Sequence, residues 1–261
     1  AARAAGFRSV SIDLIYGLPR QDTFTMAQTL SKVIAANPDR IAVYNYAHLP
    51  HLFKRQRHIL EADMPSADTR LDMLSLCIRL LSQAGYAYIG MDHFARPGDE
   101  LAIAQQQGRL HRNFQGYSTR SDADLVACGV SAIGSVGATY SQNVKTLDAY
   151  YDALDRNELP VVRGARLSMD DALRRSIIQT LMCNFELSVP AIEEAWPIAF
   201  GAYFAPELAR LKTLEDAGLL SVGPDWLTVS PKGRLLIRNI CMVFDAFLTS
   251  APQVARYSKT I

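Results

Sequence analysis

Ser9-Val10-Ser11-Ile12-Asp13-Leu14-Ile15-Tyr16-Gly17-Leu18-Pro19 is typical of a buried strand that ends in a loop. Side chains alternate across a strand, so Val10, Ile12 and Leu14 share one face, and Ser11, Asp13 and Ile15 share the other. A carboxylate inside an apolar run is costly unless it has a partner, which predicts that Asp13 binds a donor or a ligand. A structural Asp that caps a neighbouring loop is the alternative. Gly17 and Pro19 then end the strand, because neither sustains a strand ladder.

The residues that follow predict one βαβ unit. Met26, Leu30 and Val33 recur at helical spacing, and Ile41–Tyr46 is the second strand. A right-handed crossover makes the two strands parallel, so the loops that follow them emerge at the same edge of the sheet. In barrels built from such units that edge carries the active site. The next helix is expected to open at Ser66, a candidate N-cap, to carry apolar residues at helical spacing and to end at Gly85.

Polar residues lie at the ends of the predicted strands. Asp92 and His93 follow a third predicted strand, Tyr86–Met91, and His48 and His111 lie in comparable positions. Histidines in such positions are suited to hydrogen bonding or proton transfer.

Charge is nearly balanced along the chain. The 261 residues carry a formal net charge of +1, with fifteen Lys/Arg against thirteen Asp/Glu up to residue 150 and twelve against thirteen beyond it. Neither half has the basic excess that binding to nucleic acid or anionic membranes requires, so we expect a small-molecule partner.

The longest uncharged run, Leu125–Val144, is too polar and glycine-rich for a membrane span. No signal peptide is visible, and the chain opens with Ala1-Ala2-Arg3 rather than Met. We therefore expect a cytoplasmic protein and interpret the chain as a fragment.

The four cysteines stand at positions 77, 128, 183 and 241, too far apart in sequence for a metal or cluster motif. No metal site is predicted. Cys77 and Cys241 lie in apolar stretches, where free cysteine behaves as a small hydrophobe, and the compartment is expected to be reducing.

Two domains are predicted, 1–150 and 151–261. In the second, Asn157–Arg166 is expected to be a connection, helices begin at Ser168, a hairpin surrounds Gly223-Pro224-Asp225, and Gly233–Leu248 is a long apolar helix. Helices followed by a hairpin are typical of a winged helix, which often binds DNA, but the charge of this part argues against that use.

Six motifs in order are specific to one family: IDLIYGLP at Ile12–Pro19, NYAHLP at Asn45–Pro50, IGMDHFARP at Ile89–Pro97, HRNFQGY at His111–Tyr117, GVSAIG at Gly129–Gly134 and KGRLLIRNICM at Lys232–Met242. Together they resemble oxygen-independent coproporphyrinogen III oxidase, a radical S-adenosylmethionine enzyme of haem (porphyrin) biosynthesis.

The resemblance implies an α/β fold: the C-terminal part of a partial (β/α)6 radical-SAM barrel with its last two units, followed by a mostly helical, winged-helix-like domain. It implies two cofactors, S-adenosyl-L-methionine and a 4Fe-4S cluster. The cluster's cysteine ligands, on a loop near the family's N-terminus, are absent from this sequence.

The implied reaction is oxidative decarboxylation of two propionates of coproporphyrinogen III to vinyl groups, giving protoporphyrinogen IX through a 5′-deoxyadenosyl radical. A cofactor carries the difficult step, and the protein supplies orientation and exclusion of water. An electron donor for the cluster is implied as a further partner, and a monomer is expected. The chain alone is expected to be inactive.

The family's contacts map onto matching residues of this chain. By resemblance Asp13, Ala47 and Ile133 contact S-adenosylmethionine, and Gln115 lies near the substrate. Asp92 and His93 are further candidates for the substrate region, whereas no residue is assigned a catalytic role.

Three alternatives remain. One is a haem-trafficking relative of the same superfamily, although NFQGY and the long C-terminal domain favour the oxidase. Another is a non-enzymatic winged-helix regulator built on residues 168–261. The third is a barrel hydrolase with Asp13 as base and His48 or His93 as its second group.

Overall fold

The computed structural model describes residues 1–121 and 123–250, without the side chains of 249 and 250. Contacts divide the described chain into two compact units. The first comprises Ala1–Gly108 and Ser230–Arg238, and the second comprises Arg109–Val229 and Asn239–Ser250.

The contact-defined division after Gly108 precedes the predicted boundary at 150–151. The predicted domains 1–150 and 151–261 stay predictions, and residues 251–261 of the second lie outside the described residues.

The first unit is built on a four-stranded sheet with the order β1-β2-β4-β3. As predicted, β1 and β2 are parallel, whereas β4 is antiparallel to both of its neighbours. The elements from the N-terminus are β1 (Ser11–Tyr16), α1 (Thr23–Ala36), β2 (Arg40–Asn45), α2 (Ala67–Gln83), β3 (Ala87–Gly90), β4 (His93–Ala95) and α3 (Glu100–Gln106).

Helix α1 forms where the sequence predicts it. Asp22 caps it in a capping box with Thr25, and Asn37 ends it in the left-handed conformation at φ 52°. Met26 and Leu30 are fully buried against the sheet. Each such side chain contributes about 1.5–3 kcal/mol relative to an exposed one.

Helix α2 starts after the predicted cap, since Ser66 Oγ accepts from Thr69 N–H at 3.1 Å. Cys77 and Leu81 are completely buried on its inner face. The helices α1 and α2 share one core cluster with Tyr16, Val43 and other inward-facing strand residues, so both helices cover the same face of the sheet.

Strand β1 lies at the edge of this sheet. Its residues alternate as predicted, with Ile12 and Leu14 half-buried and Asp13 and Ile15 exposed. The expectation that Asp13 is buried is therefore wrong for this chain, because β1 is an edge strand and the α1/α2 core packs on its opposite face.

The second unit contains three small antiparallel sheets, β5-β6, β7-β8-β9 and β10-β12-β11. Its elements up to residue 229 are β5 (His111–Asn113), β6 (Gly116–Ser118), β7 (Ile133–Val136), β8 (Thr139–Asn143), α4 (Leu147–Asp155), β9 (Val161–Arg166), α5 (Met169–Asn184), β10 (Glu186–Ser188), α6 (Val189–Ala195), α7 (Phe200–Tyr203), α8 (Ala205–Asp216), β11 (Leu220–Val222) and β12 (Trp226–Val229).

Two local predictions in this half are wrong. The expected connection at 157–166 contains β9, whose six residues are all exposed, so no alternation between apolar and polar residues marks it as a strand. The expected helix at 233–248 is instead three short helices, α9 (Pro231–Leu235), α10 (Ile237–Met242) and α11 (Ala246–Ser250).

The break between α10 and α11 has a physical cause in the second unit. The carbonyl oxygen of Val243 accepts from Arg210, and that of Phe244 accepts from Arg174 Nη1 at 3.2 Å. Because side chains satisfy these two carbonyls, the helical hydrogen bonds need not continue through them.

The predicted winged-helix-like arrangement is present. Helix α5 begins at Ser168 with a capping box to Asp171, and β11 and β12 form the predicted hairpin, joined by β10. Among the described residues no helix is long and apolar enough to cross a membrane.

Candidate functional site

The face of the β1-β2-β4 sheet opposite α1 and α2 brings two predicted site residues into one row. Asp13 of β1 is in register with Ala42 of β2, and Ala42 is in register with His93 of β4. Registered residues point to the same face, and strands lie about 4.8 Å apart, so Asp13 and His93 stand roughly 10 Å apart across Ala42.

Contacts within the first unit support this assignment of faces. Tyr44, two residues beyond Ala42, meets His93 edge-on with ring centroids 6.0 Å apart. In barrels of βα units the face opposite the helices lines the interior. The separation of Asp13 from His93 also prevents the direct hydrogen bond that an Asp–His hydrolase pair would use.

His93 lies at a strand end, since it is the first residue of β4. Asp92, just before it, is tied to the middle of β2, because its carbonyl accepts from Val43 N–H at 2.7 Å. Its carboxylate lies 3.9 Å from Arg238 Nη2. The antiparallel β4 thus fixes Asp92 and His93 against β2 rather than leaving them in a mobile turn.

Ala47 lies in the loop after β2. Its carbonyl accepts from Gln56 Nε2 at 3.0 Å, and Gln56 Oε1 accepts from Leu49 N–H. This side chain holds the loop at the edge where β1 and β2 end, as predicted for a binding loop.

Polar groups without partners lie at the same edge. The buried Asn45 Oδ1 and Arg70 Nε have no hydrogen-bond partner among the described residues, and neither does His48 Nδ1. A Cβ on Gly17, at φ 82°, would lie 3.2 Å from Asn45 Oδ1. Buried polar atoms rarely stay unpaired, so these groups are available to a ligand.

The buried Tyr16 and the half-buried Tyr88, which the sequence did not single out, stand near Asp92. Burial, and then the Asp92 charge, raises the pKa of Tyr16 to about 12. The same two causes raise the pKa of Tyr88, whose hydroxyl donates to Met91 O at 2.8 Å. Both phenols are neutral at physiological pH, and the position of Tyr16 at a strand end was the signal that could have identified it.

The remaining predicted residues, Gln115 and Ile133, belong to the second unit. Gln115 is exposed at the β5-β6 turn, where Asn113 Oδ1 accepts from its backbone N–H at 2.9 Å. Ile133 opens β7 opposite Gln142 and is half-buried. The buried Asn143 supports the loop that precedes Ile133, because its Nδ2 donates to Gly129 O at 2.9 Å.

The two implied cofactors fit the described residues differently. The exposed carboxylate of Asp13 suits the hydroxyl and amino donors of S-adenosylmethionine, and the unpaired Asn45 Oδ1 at the end of β2 offers a separate acceptor. A 4Fe-4S cluster does not fit: burial raises the pKa of Cys77, Cys183 and Cys241 to about 12, which keeps them as thiols. In the described ranges no group of three or more His, Cys, Asp or Glu could hold a metal ion.

Comparisons with known proteins agree with one another. A sequence model described as HemN C-terminal domain matches residues 167–236. Oxygen-independent coproporphyrinogen III oxidase of Salmonella typhimurium is 51% identical over 260 residues, 100% of this chain and 57% of the relative. The protein of the same name from Thermostichus vulcanus is 49% identical over 247 residues, 94% of this chain and 76% of the relative.

A solved structure, coproporphyrinogen III oxidase (HemN) from Escherichia coli, a radical SAM enzyme, matches with a TM-score of 0.91 and 52% identity. The match covers 94% of this chain and 57% of that one. This likeness confirms the predicted fold class, part of a radical-SAM barrel followed by a helical domain. The chain spans 57% of the length of the Salmonella relative as well.

Proposed function

Because the chain belongs to the family of oxygen-independent coproporphyrinogen III oxidases, we propose that it serves the oxidative decarboxylation of two propionates of coproporphyrinogen III in haem biosynthesis. The row of Asp13, Ala42 and His93 on the face opposite α1 and α2 is the observation that carries the proposal. It places a carboxylate on the face that lines a barrel of this type.

When bound, S-adenosyl-L-methionine with a 4Fe-4S cluster supplies hydrogen-atom abstraction from a propionate carbon. Asp13 accepts hydrogen bonds from the hydroxyl or amino groups of this cofactor, and the Ala47 loop forms the adjoining wall. Ile133 contributes an apolar surface to the adenosyl group. These residues bind and orient the cofactor, and none of them is a cluster ligand.

Asp92 and His93 face the substrate region by this proposal, with Gln115 as a hydrogen-bonding side chain of the second unit. The raised pKa of Tyr16 keeps a neutral hydroxyl near Asp92, so the local negative charge stays on the carboxylate alone. Such an arrangement orients a substrate without adding a second acid–base group.

The other parts of the proposal concern partners and location. An electron donor reduces the cluster, whose ligands lie outside this sequence, so the chain alone turns nothing over. The protein acts as a cytoplasmic monomer and binds no nucleic acid. The near-balanced charge of +1 supports a small-molecule role.

Asp13→Asn in the full-length protein tests the proposal. The amide keeps the shape and removes the charge, so S-adenosylmethionine affinity and turnover fall about ten-fold to a hundred-fold, as expected for loss of a charge-assisted hydrogen bond. Asp72→Asn is the matched control, because Asp72 is exposed on α2. Titration calorimetry and melting temperature are measured on the same preparations. A large drop in melting temperature with unchanged affinity would make Asp13 structural instead.

A further inference from the structure

The second unit contains a cavity of about 660 Å³ that none of the site residues above lines. Its walls come from the β5-β6 hairpin, the β7-β8 ribbon and the outer face of α5. A volume of this size lies in the range of small-molecule sites.

Three arginines line the cavity: Arg112, Arg120 and Arg175. None of them forms an ion pair in the part of the chain that the structure describes. The lining also contains the carboxylate of Asp124, which accepts from Gly137 N–H at 2.9 Å. The charges on the described walls therefore leave an excess of positive charge.

Arg174, the neighbour of Arg175 on α5, shows the contrast. It pairs with Asp170 at 2.8 Å and with the buried Glu207 at 2.9 Å. One arginine of this helix is thus neutralised inside the unit, while the next faces the cavity without a carboxylate.

Aromatic neighbours hold Arg112 and Arg175 in place and leave further N–H donors on each guanidinium group. The Arg112 guanidinium stacks 4.7 Å from the centre of the Tyr117 ring, and its buried Nη1 has no hydrogen-bond partner among the described residues. Arg175 Nη1 lies 3.5 Å from the Tyr140 hydroxyl. Stacking uses the face of a guanidinium and leaves its in-plane N–H groups for a carboxylate.

Aromatic side chains form the apolar part of the wall. Phe114 meets Tyr140 edge-on at 5.7 Å, and Trp196 is a further lining residue. Rings beside guanidinium groups without ion pairs suit a ligand of aromatic rings that carry carboxylate substituents.

We propose that this cavity anchors the carboxylates of a polycarboxylated ligand built of aromatic rings through Arg112 and Arg175. Taken with the proposed function, on which this identification rests, the ligand is the porphyrinogen and the anchored groups are its propionates. Arg112 and Arg175 are then specificity residues that hold the substrate, and they take no part in its bond cleavage.

The test is titration of the chain with coproporphyrin III, the oxidised tetracarboxylate, followed by quenching of tryptophan fluorescence. Arg112→Gln and Arg175→Gln each weaken binding about ten-fold, and the double variant weakens it further, because each removes a charge-assisted contact. Arg166→Gln, which removes an exposed arginine outside the cavity, leaves binding unchanged. Circular dichroism checks that each variant is folded. Where an Arg→Gln variant does not fold, the Arg→Lys variant at the same position is measured instead. A smaller loss of affinity is then expected, because lysine keeps the charge but not the planar fork of donors.

Two further arms identify the ligand. Inorganic phosphate competes only weakly, and mesoporphyrin IX, with two carboxylates, binds less tightly than coproporphyrin III. Equal affinity for all three would overturn the tetrapyrrole assignment, and porphyrin binding that is unaffected by both Arg→Gln changes would overturn the site itself. Turnover by the full-length protein is measured separately: its absence would count against the proposed function, whereas arginine-dependent porphyrin binding would still support the anchor.

Discussion

The side-chain amide of Gln179 on α5 is hydrogen-bonded at both ends to the backbone of Arg112 on β5. Its Oε1 accepts from Arg112 N–H at 3.1 Å, and its Nε2 donates to Arg112 O at 2.6 Å. One side chain thus substitutes for a neighbouring strand at this position and fixes an arginine of the cavity wall.

Replacing Gln179 by Met removes both hydrogen bonds while nearly keeping the volume. We expect the free energy of unfolding to fall by about 1–3 kcal/mol, because a half-buried N–H and C=O lose their partner. Urea denaturation measures the change. Gln83→Met, at an exposed position of α2, should change stability by less than about 0.5 kcal/mol, and an equal loss in both variants would show that the paired amide contributes nothing.

The pair of Arg174 and Glu207 predicts a large penalty for breaking it on one side. Glu207 is only 7% exposed. Arg174→Met leaves this buried carboxylate with Arg210 Nη2, at 3.7 Å, as its remaining cation, and we expect a cost of up to about 3–5 kcal/mol. Arg156→Met breaks the exposed pair with Glu158 and should cost no more than about 1 kcal/mol. Adding Glu207→Leu to Arg174→Met should restore most of the loss; failure to restore it would assign the effect to packing.

Alkaline pH should destabilise the chain. Burial raises the pKa of Cys77, Cys183, Cys241 and Tyr16 to about 12, above the ordinary values of 9.0 for Cys and 10.0 for Tyr. The unfolded chain therefore loses these protons first, so stability is full below about pH 9 and falls as the pH rises toward the folded pKa values. Urea midpoints from about pH 7 to pH 11 measure the trend, and a flat profile would contradict it. Cys77→Ala should show a shallower decline than the parent.

The winged-helix-like part should not bind duplex DNA. In α8, the helix before the hairpin, Arg210 and Lys212 pair with acidic residues of the same helix, Glu207, Glu215 and Asp216. Cations already paired within a helix release few counterions from phosphates. A gel-shift assay with the whole chain at physiological salt should show no complex, and submicromolar binding with a steep salt slope would revive the regulator alternative.

Local patterns predicted the first unit well. Capping residues and apolar spacing located α1 and α2, and the crossover rule predicted the parallel pairing of β1 with β2. The antiparallel β4 was missed because three residues are too few for a periodic pattern, and β9 was missed because all of its residues are exposed. The periodic spacing of apolar residues reflects which side chains are buried. An element that buries few side chains therefore has no such pattern by which the sequence could predict it.

The sequence supplied the residues of the proposed site but not their environment. Asp13 came from the resemblance and His93 from its place at a strand end, and only the register of the strands relates the two across Ala42. Whether Asp13 is buried depends on what covers its face of the sheet, which no local pattern contains. Arg112 on β5 and Arg175 on α5 are distant in sequence, and only the tertiary structure brings them to the same cavity.

The edge position of β1 has a consequence for the behaviour of the isolated chain in concentrated solution. An edge strand presents unpaired backbone N–H and C=O groups to which a strand of another copy can bind. The exposed apolar side chain of Ile15 favours such an association. Asp13 is the only charged residue within β1, and like charges on two approaching copies repel. The carboxylate assigned to the cofactor therefore also acts as a gatekeeper against aggregation, and a neutral residue at this position would lower the solubility of the chain as well as its affinity for ligand.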